Sequence, residues 1–246
     1  MQTLPTPNPS TLTQLLRRRD VWRGRRAQRL GDVRATGFVG LDGHLVGGGW
    51  PVGALVEVGA AQLGSGEWLL LSHGLRASMA DGGYLLLVNP PALPCGAALA
   101  GLGIALERLL VVRAAQRGEL LAAVLEGLNA GCVEALMFWE GQRALSYAEL
   151  RKVQLAASQG RSLCVGLSTG RMRGHSPAAL RLELQAQKTG VQVHIRRQRG
   201  GEADMRLTLP WPAHWALHTV EPSVLQPLPA APAPATATIL PLEAPG

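Results

Sequence analysis

The feature that most constrains this 246-residue chain is the stretch GGGWPVGALVEVGAAQLGSGEW, Gly47 to Trp68. A Gly-rich turn, an apolar strand (Ala54 to Val58), a second Gly-containing loop and a helix start follow one another directly. A strand that passes through a glycine loop into a helix aims successive backbone N–H groups and a helix N-terminus at one point, the arrangement that cradles a phosphate. In a working loop of this kind a lysine reaches the outer phosphate oxygens and a Ser or Thr hydroxyl holds magnesium. Here Gly66, Glu67 and Trp68 stand where Gly-Lys-Ser/Thr belongs. A carboxylate at that point repels a triphosphate, and an indole does not ligate a metal. The stretch therefore predicts the scaffold of a nucleotide-binding core without its chemistry.

The rest of the chain supplies the sheet such a core needs. A helix is expected over residues 67–79, followed by a turn at Asp81-Gly82-Gly83. The apolar run Tyr84 to Val88 then reads as a strand covered on both faces. Further helices are expected over 97–102, 119–129 and 146–158, the last opening with Ser146 and Glu149 as a capping box. Strands are expected over 109–112, 133–138 and 163–167. Strands alternating with helices at this spacing predict parallel βαβ units. From residue 179 the pattern changes: ALRLEL, VQVHIRR and MRLTL alternate in polarity and are separated by turns. These three are expected as antiparallel strands with one wet face at the sheet edge. The fold class is thus α/β, with a mostly parallel sheet flanked by helices and antiparallel strands near the C-terminus.

Composition bounds the remainder. A hydrophobic content of 47% supports one sizeable core. No apolar run reaches the ~20 residues of a membrane helix. The opening residues lack a basic-then-apolar leader pattern, and the three cysteines (Cys95, Cys132, Cys164) are widely spaced and odd in number. A cytoplasmic protein with reduced thiols and no membrane partner is expected. The net charge of +7 is concentrated between Leu12 and Leu30, where Arg17, Arg18, Arg19, Arg23, Arg25, Arg26 and Arg29 face a single acid, Asp20. This segment is expected as a helical basic arm over 11–34. It is either a solvated helix or a contact for DNA or an acidic protein surface. Residues 1–10 and the Pro/Ala-rich 221–246 are expected to be disordered, leaving a domain over 35–220.

Two segments also resemble a known family. TGFVGLDGHLVGGGWPVGALVEV (Thr36 to Val58) and the helix, strand and helix spacing of Leu93 to Trp139 resemble the RecA-like recombinase/ATPase core over about Thr36 to Leu209. The subset most resembled is the ImuA type, short RecA-like proteins related to the SulA cell-division inhibitors. It is marked by Gly-Gly-Gly-Trp-Pro, Gly-Glu in place of Gly-Lys, LRKVQLAA (Leu150 to Ala157) and SPAALRLEL (Ser176 to Leu184). Carried over by position, the family's catalytic pattern fails. Glu67 replaces the phosphate lysine and Trp68 the metal-binding hydroxyl. Pro91 or its neighbour falls at the water-activating acid. Trp139 falls at the Walker B aspartate, with Glu140 one place later. ATP hydrolysis is not expected. Nucleotide binding without hydrolysis stays open, because Gly59, Gly64 and Gly66 still offer backbone donors.

The resemblance implies a non-catalytic accessory role in SOS-induced translesion DNA synthesis and mutagenesis. Its implied partners are an ImuB-type Y-family polymerase-like protein, an error-prone DNA polymerase III alpha-type subunit and RecA. DNA would be reached through the basic arm. An ATP-binding ATPase or recombinase-like enzyme and a SulA-like division inhibitor are the alternatives. Arg196, Arg197 and Arg199 form a basic hairpin tip, read either as a DNA or partner contact or as a solvated turn. Trp50, Trp68 and Trp139 are expected together where ATP is handled in active relatives. His214 and His218 have i, i+4 spacing but no companion ligand, so no metal is expected. Ser65 lacks the flanking glycine of a nucleophile elbow, and Ser72-His73 reads as structural.

Overall fold

The structure, a computed structural model, describes residues 32–62, 64–141, 144–170, 172 and 174–212. The seven arginines of the expected basic arm, the C-terminal segment 221–246, His214 and His218 lie outside the described residues, and the arm's last two residues, Val33–Arg34, form a strand instead of a helix. The compact unit ends at Pro210.

Ten strands and five α-helices are described. β1 (Val33–Arg34) and β2 (Trp50–Pro51) form a small antiparallel ladder around α1 (Val39–Asp42). Then follow β3 (Ala54–Ala60), α2 (Glu67–Met79), β4 (Tyr84–Val88), α3 (Gly96–Gly101), β5 (Leu109–Val112), α4 (Arg117–Asn129), β6 (Val133–Trp139), α5 (Tyr147–Ala157) and β7 (Leu163–Thr169). β8 (Leu180–Gln187), β9 (Gly190–Gln198) and β10 (Met205–Pro210) complete an eight-stranded sheet in the order β10-β9-β8-β3-β7-β6-β4-β5. This is the expected α/β architecture. One expectation is corrected: β8 is not antiparallel to its inner neighbour but runs parallel to β3, and antiparallel pairing begins only at β9. The loop from β7 through residues 174–179 carries the chain back to the sheet's amino end before β8 starts, so polarity alternation identified the wet face without giving direction.

The two faces of the sheet are covered differently. One face receives α2, where Gly74 lets the helix approach Trp50 and Leu163: a Cβ there would lie 2.5 Å from the Trp50 ring. The other receives α4 and α5, whose Leu120, Val124, Leu128, Leu150, Val153 and Ala157 pack on Leu55, Leu86, Val88, Leu136, Phe138 and Cys164. At ~25 cal/mol per Å² of apolar surface, this layered burial is the main force holding the domain together. The α5 capping box forms as expected, with Ser146 and Glu149 closing on each other's backbone. Gln154 of α5 reaches the sheet and accepts the buried Leu55 N–H at 3.1 Å.

Candidate functional site

The loop between β3 and α2 occupies the carboxyl end of a central strand, the usual position for a ligand site in a parallel sheet. Helix α2 starts after Gly66, whose φ of 105° is open only to glycine without strain. Gly64, at φ 79°, is the second left-handed residue, so the intervening amides turn inward as a nest. The nest is filled from within. The Glu67 side chain is only 7% exposed. Burial pushes its pKa above the usual 4.5, while hydrogen bonds from the backbone N–H groups of Glu67, Gly66, Gly64 and Ser65 pull the other way. The amides of Gly64, Ser65, Gly66 and Glu67 thus lie beside the chain's own carboxylate and partly offset the cost of its burial. Ser65 is turned inward as well, its hydroxyl donating to the Gln62 carbonyl at 2.7 Å. Gly59 lies at the end of β3, where a Cβ would meet Met172 at 2.4 Å.

Trp68 and Trp139 meet beside this loop, with ring centroids 6.4 Å apart and planes tilted by 41°. Such pairs are favourable beyond their area alone. Trp50 does not join them. It is fully buried on β2 against Gly74, which corrects the expected cluster of three tryptophans. At the end of β4, Asn89 adopts φ 54° and ties the strand to the segment after β5 by exchanging two hydrogen bonds with Ala114.

Glu140, one place after Trp139, faces away from the β3–α2 loop. Trp139 takes the Trp68 side, and Glu140 lines a cavity of about 290 Å³ on the α5 side, with Glu57, Leu145, Gly166, Met172 and Arg181. Burial pushes its carboxyl from 4.5 up to about 7, and the negative charge of Glu57 adds to the shift. Glu57 itself pairs with Arg181 across β3 and β8 at 2.8 Å. Its signal was present: a single charge inside the apolar strand ALVEVGA demands a buried partner.

The hairpin arginines separate. Arg197 donates to the Ser176 carbonyl at 2.7 Å, and Arg199 to the Pro177 carbonyl at 3.4 Å, so both fasten the segment before β8. Arg196 remains on the sheet face, 3.8 Å from Glu183. Ser72 donates to the Leu69 carbonyl, and His73 meets Arg76, as structural contacts. Among the described residues, no group of three or more His, Cys, Asp or Glu side chains is placed to hold a metal ion. No described helix is long and apolar enough to cross a membrane. No family model matches the chain, and comparison with curated proteins gives no significant match.

Proposed function

We infer that this protein is a non-catalytic docking module built on a nucleotide-binding scaffold. The observation that carries the reading is the burial of Glu67 inside the loop where a phosphate would sit, beside the loop's own amides. A triphosphate entering there must expel a carboxylate from its hydrogen bonds, and no lysine stands at the loop's end to offset the phosphate charge. The tilted Trp68–Trp139 pair takes the position where the scaffold would otherwise present a metal-binding hydroxyl and a Walker B acid. Without charge neutralisation, metal ligation and an oriented water, phosphoryl transfer has no route.

With the RecA-like, ImuA-type resemblance of Thr36–Val58 and Leu150–Ala157, the reading becomes specific. The protein acts in the cytoplasm as an accessory factor in SOS-induced translesion synthesis. It docks with an ImuB-type polymerase-like protein, an error-prone DNA polymerase III alpha-type subunit and RecA. No cofactor is required.

The test pairs two measurements on the full chain. A fluorescent ATP analogue with magnesium is titrated against the wild type and Glu67→Gly, and an ImuB-type protein is captured by each. The expected result is no nucleotide binding up to millimolar concentration by the wild type, measurable binding by Glu67→Gly, and partner capture by both. Micromolar nucleotide binding by the wild type would overturn the reading and favour an ATP-switched protein.

A further inference from the structure

Helices α4 and α5 form a ridge on one side of the sheet. They pack on β3, β4 and β6, and this packing stops short of β8, β9 and β10, so half of that face stays open. Both helices connect parallel strands of one sheet, β5 to β6 and β6 to β7, and therefore run in the same direction. Arg117 at the start of α4 donates to Glu149 in the first turn of α5 at 2.9 Å, so the two helices also begin level.

Each helix turns one exposed stripe outward. On α4 it is Glu119, Ala122, Glu126 and Asn129; on α5 it is Ala148, Lys152, Leu155 and Gln159, with Arg151 beside it. Spacings of three and four place each set on a single helix face. The α4 stripe carries two acids and no base, and the α5 side carries two bases and no acid. Glu119 already caps α4 through the Ala115 and Gln116 N–H groups. Glu126, Arg151 and Lys152 form no ion pair with a described residue. Leu155 lies among them, 48% exposed.

Segregated charge selects the occupant. A polyanion such as nucleic acid meets Glu119 and Glu126 on one half of the ridge, and a polycation meets Arg151 and Lys152 on the other. A surface with the two signs exchanged matches both halves, and a two-fold rotation of this same ridge produces one. With the rotation axis across the helices, α4 meets α4 and like charges oppose. With the axis along the helices, α4 of one copy lies on α5 of the other, and acids oppose bases twice over. Because the helices begin level, Arg151 and Lys152 then come opposite Ala122, within about one helical turn of both Glu119 and Glu126. The small side chains of Ala122 and Ala148 permit close approach, and the contact covers Leu155.

We propose that the α4/α5 ridge is the contact between two copies of this chain, paired about a two-fold axis that runs along the helices. The ridge offers a face roughly 20 Å long and 20 Å wide, which for two copies lies at the low end of specific interfaces. The dimer is therefore weak and reversible. It goes beyond the docking-module reading and does not depend on it.

Sedimentation velocity of the full chain tests the proposal at low and high salt. Wild type, Lys152→Glu, Glu126→Lys and an equimolar mixture of the two variants are compared, and circular dichroism checks each fold. The expected result is a wild-type monomer–dimer equilibrium that weakens with salt and is about tenfold weaker in each variant alone, since each substitution acts at both symmetric contacts. The mixture should dimerise more tightly than either variant, because it restores an acid–base pair with the signs exchanged. A wild type that stays monomeric at about 200 µM, variants that dimerise as the wild type does, or a mixture no tighter than its components would overturn the proposal. The nucleotide titration reads the β3–α2 loop and not the ridge, so failure of the dimer leaves the docking-module reading standing.

Discussion

Replacing Glu140 by glutamine is expected to stabilise the domain above neutral pH and to change little near pH 4. The Glu140 carboxyl sits in the cavity beside Glu57, and burial first, then that neighbouring charge, raises it from 4.5 to about 7. Arg117, Arg181 and the Leu145 N–H favour the ionised form and only partly offset the shift. Between these two values the folded state holds a proton that the unfolded chain has released, so wild-type stability falls as pH rises. Below 4.5 both states are protonated and the penalty is absent; above about 7 it is complete. At ~1.4 kcal/mol per pH unit, the ionised carboxylate costs the folded state roughly 3 kcal/mol. A domain of this size gains roughly 2–4 °C in Tm per kcal/mol, so Glu140→Gln should melt about 5–10 °C above wild type at pH 8. Differential scanning calorimetry of both proteins at pH 4, 6 and 8 measures the difference directly. A Tm difference independent of pH, or a variant less stable at pH 8, would refute the argument that Glu140 is an under-compensated buried charge.

Two further outcomes follow from single contacts. Gln154→Leu leaves the buried Leu55 N–H without its acceptor and should cost about 1–3 kcal/mol in urea unfolding; a loss below ~0.5 kcal/mol would mean that another group satisfies that amide. Glu149 is held down to about 2, first by Arg117 and then by Ser146. Its contribution to stability is therefore present above 4.5 and lost as pH falls toward 2. Glu149→Gln should lower Tm at neutral pH and match wild type near pH 2, and equal deficits at both values would contradict this.

Local patterns carried most of the architecture. The spans of α2 and β4 are bounded by glycine or proline turns, and β5 coincides with the apolar run Leu109–Val112, so local pattern and turn chemistry set them. The Ser146–Glu149 box was legible because its partners are three residues apart. Glu67 at the junction of the glycine loop and α2 was equally visible as a misplaced charge. Other features depend on residues distant in sequence. The Trp50 indole belongs to the core only because α2 folds back over β2, bringing Gly74 against it. The Glu57–Arg181 pair joins strands that are parallel neighbours through a long connection. Arg197 and Arg199 were read as free because the carbonyls of Ser176 and Pro177 are twenty or more residues away.

By itself, the sequence determined that the chain forms a layered α/β sheet and that the glycine loop after β3 runs into Glu67 and Trp68 with no lysine, since periodicity and residue identity are local properties. The tertiary structure alone decided what fills that loop, which charges are buried together and which sheet face stays open. Those outcomes depend on burial and on through-space distances between segments, and no spacing along the chain encodes either.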